Sequence, residues 1–103
     1  MELLTKEIRD AFKKTGSQEN KPLGEQICIV KFFDPTGSWT WYATEFDGKD
    51  TFFGLVDGFE LEWGPFLLSE LQAVKGRFGL GIERDKYLGM PQLKDVGRLK
   101  GRL

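Results

Sequence analysis

Apolar residues recur along this chain with two different periods, and the switch between them divides it into elements. Leu4, Ile8, Ala11 and Phe12 follow the i, i+4, i+7, i+8 spacing of one helix face. With Thr5 as N-cap and Gly16 as the stop, the pattern predicts an amphipathic helix over 3–14. Lys13 and Lys14 stand where cations suit the negative end of the helix dipole. The polar residues 17–24 read as a linker loop.

From Glu25 the period shortens to two. Residues 25–33 predict a strand with both faces apolar, Ile27 and Ile29 on one side and Cys28, Val30 and Phe32 on the other. Such a strand is central in its sheet or covered twice. Asp34-Pro35-Thr36-Gly37 has aspartate, proline and glycine at the positions a type I turn prefers. A second strand is predicted over 38–46 and a third, after Asp47-Gly48, over 51–56. Asp57-Gly58 is a type I′ hairpin pair. The next strand alternates Phe59, Leu61 and Trp63 inward with Glu60 and Glu62 outward, and Gly64-Pro65 is expected to end it. Ser69 and Gln72 have capping-box spacing for a second helix that stops at Gly76. Residues 77–88 hold apolar positions between glycines and predict a short strand or a lid.

The expected fold is therefore α+β: a four-stranded antiparallel β-meander flanked by an N-terminal helix and a short helix after the last strand. Residues 1–90 read as a single domain. Residues 91–103 carry Gly97 and Gly101 against helix formation, and are expected to be a basic, flexible tail.

Composition sharpens this picture in three places. Eleven of the fourteen aromatic residues lie between Phe32 and Phe66, which is more apolar surface than one sheet face needs. The excess must be covered by another part of the chain or offered to a partner. Histidine is absent and Cys28 stands alone, which removes the commonest general base, the commonest transition-metal ligand, the histidine-dependent triads and any intrachain disulfide. Cys28 itself, set between Ile27 and Ile29, reads as a small buried side chain. No catalytic residue, cofactor or metal ligand is expected, and a non-enzymatic role follows. No run approaches the roughly 20 apolar residues of a membrane span. Charges at Glu2, Lys6, Glu7, Arg9 and Asp10 are unlike a signal peptide, so a cytoplasmic location is expected.

Charge is also uneven. Residues 1–74 hold 13 acids and 7 bases, whereas residues 75–103 hold 3 acids and 8 bases. The asymmetry fits an acidic face and a basic tail with different partners, or two ends that neutralise each other in the fold. Trp39, Trp41, Tyr42 and Phe53 could stack on bases, but only Lys31 and Lys49 lie among them. The acids Glu45, Asp47, Asp50, Asp57, Glu60 and Glu62 lack the spacing of any metal-binding loop. They are either solvated sheet charges or a surface for a basic partner. Lys94, Arg98, Lys100 and Arg102 could neutralise phosphates. Gly76, Gly79 and Gly81 do not complete a phosphate-binding loop.

Four stretches carry a resemblance: KFFDPTGSWTWYATE at 31–45, FFGLVDG at 52–58, FLLSELQAV at 66–74 and FGLGIERD at 78–85. Over roughly residues 3–88 the chain resembles a family of small proteins described only as a domain of unknown function and encoded largely on plasmids, integrative elements and phages. That family has no recognised catalytic residues. In length and family the chain is also similar to small type II-A anti-CRISPR proteins. The resemblance implies an inhibitor of a type II RNA-guided nuclease or its guide complex. Trp39, Trp41 and Tyr42 would be its anchors and Asp57, Glu60 and Glu62 its acids. The alternative is a nucleic-acid-binding accessory protein of a plasmid or other mobile element that acts through the basic tail.

Overall fold

The Thr5 hydroxyl accepts the Ile8 N–H at 3.2 Å and starts helix α1, Lys6–Thr15. Gly16, at a φ of 68°, closes it by donating its N–H to the Phe12 carbonyl. These elements belong to a computed structural model that describes residues 1–103, the side chain of Arg77 excepted. Strands β1 (Val30–Phe33), β2 (Thr40–Phe46), β3 (Thr51–Asp57) and β4 (Leu61–Leu67) follow, then helix α2 (Leu68–Ala73) and a short strand β5 (Glu83–Arg84). All pairings are antiparallel, in the order β4-β3-β2-β1-β5.

The fold is α+β as expected, but the sheet has five strands rather than four. The fifth comes from the segment after α2, which returns to pair Phe32 with Arg84 and Phe33 with Glu83. Strand boundaries and one helix cap also differ from the expectation. The first strand begins at Val30 rather than Glu25, because Pro22 leads Leu23–Glu25 into a 3₁₀ turn. The fourth runs on through Gly64-Pro65, since it lies at the sheet edge, where proline is tolerated. Ser69 does not cap α2 with a capping box. Asp50 reaches across instead, accepting the Ser69 N–H at 2.8 Å and its hydroxyl at 2.6 Å.

The expected partition of the first strand does not hold: Cys28 joins one core whereas Ile27, Ile29, Val30 and Phe32 join the other, since the regular strand begins only at Val30. Both faces of the sheet are nonetheless covered. On one, the helix face, Phe12 packs on Phe46 and Phe52 at 5.7 and 5.8 Å between ring centres. Leu3, Leu4, Val30, Phe32, Phe66, Leu68 and Leu71 complete that core. On the other, Cys28, Tyr42 and Leu55 are covered by Leu93, Val96 and Leu99.

The C-terminal segment is thus a strap rather than a frayed tail. Leu93 and Leu99 are fully buried, carried by 3₁₀ turns at Leu93–Asp95 and Gly97–Leu99. The glycines that argue against an α-helix do not prevent these shorter turns. A spacing of three residues places Leu93, Val96 and Leu99 along one side of them. The strap is pinned at both ends. Cys28 donates its N–H to the Pro91 carbonyl at 2.8 Å, and Arg102 reaches Asp57 at 3.1 Å.

The predicted linker is anchored as well. Gln18 is buried, and its amide nitrogen donates to the Ile27 and Thr44 carbonyls while its oxygen accepts the Ile27 N–H at 2.6 Å. Three hydrogen bonds satisfy the buried amide, as its removal from water requires.

Candidate partner-binding surface

The helix face has a direction. Successive cross-strand rows run Phe46–Phe52–Phe66, then Ala43–Gly54–Gly64, then Trp41–Val56–Glu62. Helix α1 covers the first of these through Phe12. The last lies at the opposite end, beside the Asp34–Gly37 turn and the Asp57–Glu60 turn.

Two of the chain's turns build that end. In the first, Asp34 accepts the Thr36 N–H at 2.9 Å and its own N–H bonds the Trp39 carbonyl at 3.1 Å, which sets Trp39 at the mouth of β2. In the second, Gly58 donates to the Glu60 carbonyl and turns the chain with Phe59 at the tip. Trp39 meets Phe59 edge-to-face at 5.3 Å and 82°, and lies 6.1 Å from Trp41. The Trp39 ring rests on the Gly58 backbone so closely that a Cβ there would stand 2.6 Å from it. A recess of about 230 Å³ remains between Trp39, Val56, Gly58, Phe59, Glu60 and Glu62.

The expected site residues divide sharply. Trp39 and Trp41 are half-buried and Glu60 and Glu62 exposed, so these four come together at one sheet end. Tyr42 does not join them. It is fully buried on the opposite face under the strap, since β2 alternates and Tyr42 has the other parity. Asp57 is also on that face and is held in its ion pair with Arg102. Phe59, expected to point inward, is instead 94% exposed, because the alternation of β4 begins only at Leu61. Its place directly after Asp57-Gly58 was the signal that it belongs to the turn.

Four of the six candidate acids serve the fold. Glu45 accepts the Gln18 N–H, Asp50 caps α2 and Asp57 binds Arg102. Asp47 accepts the N–H groups of Lys49, Asp50 and Thr51, and these bonds, the Lys49 one foremost, hold its carboxyl below the usual carboxylate range. Glu60 and Glu62 have no ion pair or side-chain hydrogen bond among the described residues. No three histidine, cysteine or acidic side chains among the described residues converge as metal ligands would.

Of the basic residues, Lys94, Arg98 and Lys100 are exposed on the strap, while Arg102 is engaged with Asp57. Arg98 lines an open groove of about 690 Å³ with Lys31, Arg84, Lys86 and the exposed Tyr87. Asp34, Glu83 and Asp85 line it too, and Asp85 lies 3.8 Å from Lys31. Four cations there face three carboxylates.

Cys28 is no nucleophile in this fold. Burial pushes its thiol up to about 12, against the weaker opposing pull of Lys31. The folded thiol is then expected to resist Ellman's reagent at pH 8 and to react once guanidinium unfolds the chain. Its pKa is higher folded than the 9.0 expected unfolded, so its contribution is complete below about pH 9 and is lost as pH rises toward 12. Burial raises the Tyr42 hydroxyl in the same direction. Urea midpoints at pH 8 and 10.5 should show the loss, at up to about 1.4 kcal/mol per pH unit for each titrating group.

No helix among the described residues is long and apolar enough to cross a membrane. Comparison with curated proteins and with solved structures found no match. Residues 3–95, which take in the meander, both helices and the first turn of the strap, match the model of a family described as protein of unknown function (DUF2958), and the chain belongs to that family.

Proposed function

We propose that this protein is a non-enzymatic anti-defence factor, an anti-CRISPR inhibitor that binds a type II RNA-guided nuclease or its guide complex through the aromatic–acidic end of its sheet. One observation carries the reading. A nearly fully exposed phenylalanine meets a tryptophan edge-to-face, and two glutamates that no cation of this chain engages among the described residues line the same recess. Rigid aromatic anchors with unpaired acids beside them are a means of docking on a basic protein surface. RNA-guided nucleases hold their guide–target duplex in a positively charged channel, which supplies such a surface.

The test is cleavage of target DNA by a purified type II nuclease–guide complex, titrated with this protein before and after guide loading. Inhibition near stoichiometric amounts is expected. Full cleavage at large excess, across several orthologues, would remove the nuclease from the proposal. Charge reversal at both acids, Glu60→Lys with Glu62→Lys, should lower inhibitory potency at least tenfold while leaving the melting temperature unchanged. Unchanged potency would take the acids out of the mechanism.

The groove around Arg98 supports the second reading, a nucleic-acid-binding accessory protein of a mobile element. Its exposed Tyr87 and four cations offer stacking and phosphate contacts, offset by three acids. Replacing Arg98 and Lys100 by glutamine should abolish a salt-dependent gel shift under this reading and leave nuclease inhibition intact under the first.

A further inference from the structure

We propose that the recess between Trp39 and the glutamates is a socket for a single arginine side chain of the protein partner. This rests on the reading of that sheet end as the partner-facing surface, and it names what the surface takes. The walls are the Trp39 and Phe59 rings and Val56, and Glu60 and Glu62 complete the lining. Two aromatic side chains and two carboxylates therefore line one recess, and both kinds of group attract a cation that stacks on a ring or pairs with a carboxylate.

The indole is set before any partner arrives. Gly58 lets the Trp39 ring lie on the backbone, and Phe59 meets it edge-to-face from the exposed turn tip. A volume of about 230 Å³ admits one long side chain and excludes a helix or strand. An apolar occupant would strip water from two carboxylates and return nothing for it. A cation answers both groups of the lining. Between the two basic side chains, arginine suits the site better: its guanidinium is planar, weakly hydrated, stacks on indole and can bond a carboxylate through two N–H groups. Lysine would bring a compact, strongly hydrated charge to a flat wall. The Trp41–Val56–Glu62 row places one of the carboxylates on a strand, so its position is set by the sheet rather than by a loop.

The probe is the capped tripeptide acetyl-Gly-Arg-Gly-amide, titrated into the ¹⁵N-labelled protein, with the citrulline and lysine versions in parallel. The Trp39 indole N–H, assigned from a Trp39→Phe variant, is the reporter. Saturable movement of that resonance is expected with arginine, at least tenfold weaker with citrulline and weaker with lysine. The Glu60→Gln, Glu62→Gln double variant should bind the arginine peptide at least tenfold less tightly, with an unchanged circular dichroism spectrum. Citrulline binding as tightly as arginine, movement confined to other resonances, no saturable movement at all, or unchanged affinity in the double variant would each overturn the socket. Lysine binding more tightly than arginine would overturn the choice of arginine. The outcome is separable from the nuclease assay. Peptide binding without nuclease inhibition keeps the socket and loses the nuclease, and inhibition without peptide binding does the reverse.

Discussion

Truncation after Gln92 is expected to leave a chain without a cooperatively folded native state. The deleted residues include Leu93, Val96 and Leu99, the lid over Cys28, Tyr42 and Leu55. Burying a side chain of this class is worth about 1.5–3 kcal/mol, and the truncation exposes the underlying Tyr42 and Leu55 as well. Together this rivals the whole stability of a small domain, about 5–15 kcal/mol. Leu99→Ala alone should cost about 2–5 kcal/mol. Arg102→Ala should cost less than about 1 kcal/mol, since the Arg102 end of the Asp57 pair is half-exposed. Urea denaturation followed by near-ultraviolet circular dichroism measures all three. A truncated chain with the parent's midpoint would mean that the strap is not part of the stable fold. The same result governs functional work: loss of an activity on removing the basic segment would report unfolding, so only charge substitutions on the intact strap can assign it a role.

The second large effect is expected at Gly54. It sits in the middle of β3, opposite Ala43, where an added Cβ would stand 1.8 Å from the Tyr42 carbonyl oxygen and 2.8 Å from its carbon. Both are backbone atoms of the neighbouring strand, so no side chain can swing aside to relieve the overlap. Gly54→Ala should therefore cost about 3 kcal/mol or more, at the upper end for overpacking, and disturb the bulge between Ala43 and Glu45. Gly64, its cross-strand partner in β4, has nothing within 4 Å of an added Cβ. Gly64→Ala should be within about 0.5 kcal/mol of the parent. Thermal melts of the two variants side by side provide the check, and equal melting temperatures would contradict the close approach of β3 and β2.

Much of this architecture is legible in the sequence, and what was missed was missed for identifiable reasons. Helix α1 is announced by Thr5 and by the spacing of Ile8, Ala11 and Phe12, and the three hairpin turns by their Asp, Pro and Gly residues. These are local rules, satisfied within a few residues. The strap obeys no such rule. Its Leu93, Val96 and Leu99 recur every three residues, a period that matches neither helix nor strand and acquires meaning only when 3₁₀ turns lay it across Tyr42. The fifth strand is two residues long and exists only because β1 offers it an edge.

The surface was half legible for a similar reason. Alternation along β2 already sets Tyr42 apart from Trp39 and Trp41, but nothing local in the sequence shows that a strap would bury the Tyr42 face and engage Asp57. The fate of the other acids was equally invisible: Asp50 serves a helix 18 residues downstream.

The edge formed by β4 has one more consequence. Beside it, on the strap face but beyond the strap's reach, Phe53 and Trp63 are exposed, at 38% and 46%. An open strand flanked by bare aromatic rings is the kind of template on which chains stack into ordered aggregates. Pro65 stands within this strand, paired with Phe53 on its inner side. It offers no N–H to the outer side, so a newcomer laid along Leu61–Leu67 would leave one carbonyl without a donor, at a cost of about 1–3 kcal/mol. The growth of the sheet is checked where its surface is most adhesive, by an amino acid that cannot complete the ladder.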